Sequence, residues 1–193
     1  MKFYKKVYGT FFTRGDDNFG PVSINFNFNY FNNLFSQLTI NTNGYVYFSS
    51  GSTIGIASGN VILALFYDLD TRFSGGIYYQ NLNSQSNDFN SIRSDINRLN
   101  SSFVPKNLFR ITYDNVPGWS TSSLVASFQI ILASDSSKSY VVLKYKSCLS
   151  KTSPIFTPGL YCLLSNGQQI SRQFTNPCWS SNVNLIGTWV FNA

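Results

Sequence analysis

Leu38-Thr39-Ile40-Asn41-Thr42-Asn43-Gly44-Tyr45-Val46-Tyr47-Phe48 is the stretch whose reading decides the fold class. Two runs of aliphatic, β-branched and aromatic residues flank an Asn-Gly pair. Asn and Gly take positive φ at low cost, and a type I′ hairpin turn requires it at both central positions. The stretch therefore predicts two antiparallel strands joined by a two-residue turn at Asn43-Gly44.

On the N-terminal side, Ile24, Phe26, Phe28 and Tyr30 alternate with Asn25, Asn27 and Asn29. That period of two predicts a strand with an aromatic face turned inward and an amide face turned outward. On the C-terminal side, residues 61–67 are continuously apolar, which suits a strand buried on both faces. Further strands are expected over 77–80, 108–113, 124–133, 140–146, 160–164 and 185–191. Gly, Pro, Asn and Asp separate them, with a second Asn-Gly turn at Asn166-Gly167. Ile92, Ile96 and Leu99 fall at helical spacing, so one short helix is expected near 91–99, capped by Ser91 with Asp95 in its first turn. The fold class is mainly β: a β-sandwich of antiparallel strands with that single helix. At 193 residues, one domain over 1–193 is the natural size.

Composition narrows the chemistry. Aromatic residues make up 17% and charged residues 11%, so the chain can bury a core. It has no His, and all of its acidic residues are Asp. Without an imidazole, no Ser or Cys has the usual activating base, and the commonest general acid–base group is missing. No phosphate-binding glycine loop is present. The net charge of +6 is scattered apart from Lys2, Lys5 and Lys6 and a weaker group at Lys138, Lys144 and Lys146. With neither a basic stripe nor an RNP-like motif, nucleic acid is not an expected partner. The run over 61–67 is far too short to span a bilayer. Met1-Lys2-Phe3-Tyr4-Lys5-Lys6 has no apolar core behind it, so it does not read as an intact signal peptide, and a mature or excised piece is expected.

Cys148, Cys162 and Cys178 lie too far apart for a CxxC motif. One disulfide and one leftover thiol is the outcome expected in an oxidising compartment, with all three pairings open. The alternative is a fully reduced, buried set. Asn100-Ser101-Ser102 is the one N-glycosylation sequon.

Taken together, several blocks resemble the NIDO domain, the extracellular module of nidogens, alpha-tectorin and membrane mucins. They are Gly15-Asp16-Asp17, the Leu38 to Phe48 hairpin, and Phe66-Tyr67-Asp68-Leu69-Asp70-Thr71-Arg72 with Ile77-Tyr78-Tyr79. Thr112-Tyr113-Asp114-Asn115-Val116, the segment from Ser127 to Asp135, Ser180-Ser181-Asn182-Val183 and Gly187-Thr188-Trp189-Val190-Phe191 complete the set. Thr188 and Asn192 stand where the family usually has Arg. The resemblance implies a secreted or ectodomain module without enzymatic activity. Its partners would be extracellular-matrix or cell-surface proteins in cell–matrix adhesion or matrix assembly.

Asp68 and Asp70 form the acidic pair. At i and i+2 on a strand they share a face. Such a pair admits two chemistries, a two-carboxylate hydrolase or a hard cation such as Ca²⁺ with oxygens from Asn43, Thr71 or the backbone. No other polar cluster supports hydrolysis. In the plain structural reading, Asp68 or Asp70 accepts turn amides or pairs with Arg72 or Arg110. Apart from calcium, no cofactor is expected. Trp119, Tyr113 and Trp179 are the candidate sugar-facing aromatics of a lectin-like alternative, although core packing is the commoner fate, and Trp189 is assigned to the core. A third reading is a self-associating, fibre-forming subunit that uses the asparagine-rich strand.

Overall fold

The computed structural model describes residues 9–48, 59–119, 121–148, 158–163 and 168–193. The basic start and the Asn166-Gly167 turn lie outside these residues. Two six-stranded sheets form a sandwich, and every pairing is antiparallel. In spatial order the first sheet is β1 (Thr10–Phe11), β6 (Gly76–Leu82), β7 (Asn107–Gly118), β8 (Thr121–Ser134), β9 (Ser139–Ser147) and β12 (Thr188–Asn192). The second is β11 (Gln169–Gln173), β10 (Gly159–Leu163), β5 (Val61–Leu63), β4 (Tyr45–Tyr47), β3 (Asn33–Asn41) and β2 (Phe19–Tyr30).

Alternation along the strands divides the side chains among three layers. Between the sheets lie Ile24, Phe28, Tyr30, Ile40, Val46, Phe48, Ile62, Phe109, Ile111, Tyr113, Phe128, Leu143, Tyr145 and Trp189, while Phe26, expected inward with Ile24, Phe28 and Tyr30, is only partly buried against them. The rings stack on one another, with Tyr113 and Phe128 centroids 4.3 Å apart. Two inward tyrosines of the first sheet also tie it to the second sheet's side. Tyr113 donates to the Asn41 carbonyl at 2.6 Å and Tyr145 to the Ala64 carbonyl at 2.5 Å. Within the second sheet, Tyr30 donates to the Val61 carbonyl at 2.8 Å. Burial raises all three phenols well above the ordinary tyrosine range, so they remain neutral donors.

The outer face of the first sheet is covered by α1 (Asn87–Asn97). This helix starts earlier than the expected 91–99. Ser86, not Ser91, caps it by accepting the Phe89 amide at 3.1 Å, and Asp88 is the acid of the first turn. The reason is packing: Phe89 belongs to the apolar stripe with Ile92 and Ile96, whereas Leu99 is past the helix and exposed. Two buried ion pairs link α1 to the sheet, Asp88 to Arg110 and Asp95 to Lys144, each at 2.6 Å. Lys144 is therefore not part of a surface basic group with Lys138 and Lys146.

The hairpin forms where expected but not with a type I′ turn. Asn41 pairs with Tyr45, leaving a three-residue loop of Thr42, Asn43 and Gly44, with the Gly44 amide bonded to the Asn41 carbonyl at 3.3 Å. Only Gly44 has positive φ, at +83°. A Cβ there would sit 2.0 Å from the Leu65 carbonyl oxygen, so the position needs glycine for space as well as conformation. The apolar run over 61–67 also ends sooner as a strand. After Leu63 the chain follows the hairpin loop, with Leu65 and Tyr67 amides donating to the Gly44 and Asn43 carbonyls.

The single disulfide joins Cys148 and Cys178, and Cys162 is a buried free thiol. No helix among the described residues is long and apolar enough to cross a membrane.

Candidate functional site

Four loops converge at one end of the sandwich. Thr71 draws the first two together: its hydroxyl accepts the Gly15 amide at 2.8 Å, and its own amide donates to the Gly15 carbonyl at 3.0 Å. Isolated bridges connect Asp16 to Asp70 and Leu69 to Gly118. The Trp119 amide donates to the Asp68 carbonyl at 2.9 Å. Asn43 joins the hairpin loop to this group, accepting the Leu69 amide at 3.0 Å and donating to Asp17 Oδ1 at 2.6 Å.

This architecture gives the predicted pair, Asp68 and Asp70, different surroundings. Asp70 is 4% exposed and engaged by Arg72, whose Nε and Nη2 reach its two oxygens at 2.8–3.0 Å and whose amide donates at 2.9 Å. Those hydrogen bonds hold the Asp70 carboxyl below the ordinary aspartate range. Arg72 also reaches Asp16 at 3.0 Å. Arg110, the other expected partner, is buried with Asp88 on the far face of the first sheet. Asp68 instead joins Asp16 and Asp17, with one oxygen of each lying within 4.8 Å of the others. Loss of surrounding water, then the charges of Asp16, Asp17 and Asp70, raise the Asp68 carboxyl above its ordinary range, with Arg72 opposing. Asp16 Oδ1 is buried without a hydrogen-bond partner. Nothing in the order of the chain connects Asp16 and Asp17 to Asp68, which lies more than fifty residues on.

Exposed aromatic and cationic groups surround this cluster. Trp119 is 58% exposed and Phe73 85%, and the Arg72 guanidinium lies 5.7 Å from the Phe73 ring centroid. Of the candidate sugar-facing aromatics, Trp119 and Trp179 are exposed, while Tyr113 is buried as an inter-sheet tie. Trp189 is in the core and donates to the Pro177 carbonyl at 3.2 Å. Asn100 is half-buried just beyond α1, and its Nδ2 donates to the Tyr140 hydroxyl at 2.7 Å.

Next to the acidic cluster, on the outer face of the second sheet, lies a cleft of about 280 Å³ lined by Asp17, Phe19, Asn41, Asn43, Tyr45, Tyr47 and Phe66. Tyr45 and Tyr47 point outward because Val46 and Phe48 point inward. The period of two in the hairpin places Tyr45 and Tyr47 together on that outward face. Burial first, then neighbouring Tyr47 and Asp17, raise the Tyr45 phenol above its ordinary range.

A family model described as the nidogen-like domain, NIDO, matches residues 36–153, more than half of the chain. The match takes in the hairpin, the Asp68 to Arg72 segment, and the β7 and β8 blocks. The Gly15-Asp16-Asp17 block and the closing Trp189 block lie outside it. Comparisons with curated proteins and with solved structures gave no match. On the family match, the chain belongs to the NIDO, or nidogen-like, domain family, whose members are extracellular-type modules.

Proposed function

We propose that this domain is a non-enzymatic extracellular module that holds matrix or cell-surface proteins through its loop end. The observation that carries the reading is the exposed pair Trp119 and Phe73 beside Arg72 and the Asp16, Asp17 and Asp68 carboxylates. Trp and Arg are the residue types that dominate binding energy at protein interfaces. Rigid sheets bearing exposed loops suit binding without turnover. The Cys148–Cys178 disulfide fits an oxidising, extracellular setting, and the absence of His and Glu fits a module without acid–base catalysis.

The test is solid-phase binding of the purified domain to a panel of extracellular-matrix proteins and to cell surfaces. Trp119→Ala and Phe73→Ala should each weaken the bound partner by about tenfold or more without lowering the melting temperature. Binding that survives both substitutions would move the contact elsewhere.

In the calcium reading, Asp68 acts with Asp16 and Asp17 in place of Asp70. Calcium takes about six to eight oxygens, so loop carbonyls or waters would have to complete the shell. A second functional reading, self-association through a sheet edge, is favoured by β11, which is exposed at every position and ends the second sheet. Sedimentation velocity against concentration separates the two, because a monomer throughout argues against self-association.

A further inference from the structure

We propose that the cleft on the outer face of the second sheet binds a neutral pyranose sugar, held by Asp17, Asn41, Tyr45 and Tyr47. The cleft shares Asp17 with the loop end, and Asn41, Tyr45 and Tyr47 belong to it alone, so Tyr47→Phe tests the cleft separately from the loop-end contacts.

The argument starts from polar groups that the fold leaves open. Asn41 is 6% exposed, and its Oδ1 accepts the Asn43 amide at 2.8 Å. That bond fixes the orientation of the side-chain amide and leaves Nδ2 as a donor with no partner among the described residues. Tyr45 is 8% exposed and Tyr47 2%, yet neither hydroxyl has a partner among the described residues. The inward tyrosines Tyr30, Tyr113 and Tyr145 all find one. These three polar ends are not closed into the fold: they face one cleft, where a ligand with matching donors and acceptors can replace the water that meets them. Asp17 adds an exposed carboxylate, of which one oxygen receives Asn43 Nδ2.

The mixture of groups selects the ligand class. The cleft presents a donor at Asn41, an acceptor at Asp17, and two hydroxyls that can act either way. A lysine or arginine side chain could pair with Asp17, but it offers only donors and would leave Asn41 Nδ2 without an acceptor. An anionic or sulfated glycan would meet Asp17 with Asp16 and Asp68 beside it, and among the described residues no Lys or Arg lines the cleft. An apolar group would leave every polar end unsatisfied. A sugar hydroxyl donates and accepts at once, so vicinal hydroxyls can give a proton to Asp17 and receive one from Asn41. Phe19, 52% exposed, offers the electron-rich ring face on which the C–H side of a pyranose packs. At about 280 Å³ the cleft is just below the roughly 300–1,000 Å³ usual for drug-sized ligands, the scale of a single ring.

The experiment is saturation-transfer NMR and titration of the purified domain with methyl pyranosides of glucose, galactose, mannose and N-acetylglucosamine. Argininamide and a sulfated disaccharide serve as charged probes. At least one neutral pyranoside should bind at millimolar concentration or better. Asp17→Asn and Tyr47→Phe should each weaken it by about tenfold, while Trp179→Ala leaves it unchanged. Circular dichroism melts check that the variants fold. Three results would overturn the proposal. They are no neutral pyranoside bound to the folded protein, argininamide or the sulfated probe bound in its place, and sugar binding that ignores Asp17→Asn and Tyr47→Phe or disappears with Trp179→Ala.

Discussion

The two outer faces of this sandwich treat buried polar groups in opposite ways. On the first sheet, α1 covers the surface, and the charges beneath it are closed into pairs, Asp88 with Arg110 and Asp95 with Lys144. On the second sheet, Tyr45, Tyr47 and Asn41 are just as buried, but their polar ends open into a cleft. A closed polar group belongs to the fold, because breaking it strands its partner. An open one contributes little to folding and is available to a ligand.

The closed face should yield the largest stability effects. Asp88→Asn leaves the Arg110 guanidinium buried without its counter-charge and should cost about 3–5 kcal/mol in urea denaturation. If the loss were within error, the pair would not be part of what holds α1 in place. The disulfide gives a reference that depends on neither face. It joins residues separated by 30 positions, and replacing Cys148 and Cys178 with Ser should cost about 3–4 kcal/mol from loop closure. Among the inter-sheet ties, Tyr145→Phe strands the Ala64 carbonyl and should cost about 1–3 kcal/mol.

The loop end should give the smallest effects, and they should depend on pH. Asp70 has a lowered carboxyl, so its contribution is present above the unfolded value and is lost as pH falls through the folded one. Asp68 has a raised carboxyl, so it does the reverse: stability is gained as pH falls through its folded value toward the ordinary aspartate value. Asp68→Asn should therefore stabilise slightly at neutral pH and remove that gain, whereas Asp70→Asn should destabilise. Melts at stepped pH check both signs. Added calcium should raise the melting temperature of the wild type and not of Asp68→Asn; equal shifts would count against a cation at the cluster.

Much of the scaffold could be read from the chain. The alternation over 24–30 placed Ile24, Phe28 and Tyr30 inside, and the hairpin lies where the Asn-Gly pair put it. The turn class could not be read, because both ends of the Asn43 side chain serve partners 26 residues away in sequence, Asp17 and Leu69. The helix starts before Ser91 because Ser86 stands three residues before Phe89, the spacing at which its hydroxyl caps the Phe89 amide and Phe89 joins the buried stripe. At the candidate site, the option that Asp70 pairs with Arg72 was legible from their closeness in sequence. The grouping of Asp68 with Asp16 and Asp17 was not, since Gly15 and Thr71 bring them together across more than fifty residues. Lys144 illustrates the same limit: in the chain it stands near Lys138 and Lys146, and in the fold it is turned inward to Asp95.

The contrast between closed and open polar groups is tested most directly by removing one oxygen from each class and comparing urea-denaturation free energies. Tyr113→Phe should lose about 1–3 kcal/mol because the Asn41 carbonyl loses its donor. Tyr47→Phe should stay within about 0.5 kcal/mol of the wild type, as expected for a hydroxyl that supports nothing in the fold. Equal losses in the two variants would contradict the account, because the Tyr47 hydroxyl would then be serving the fold and not a ligand.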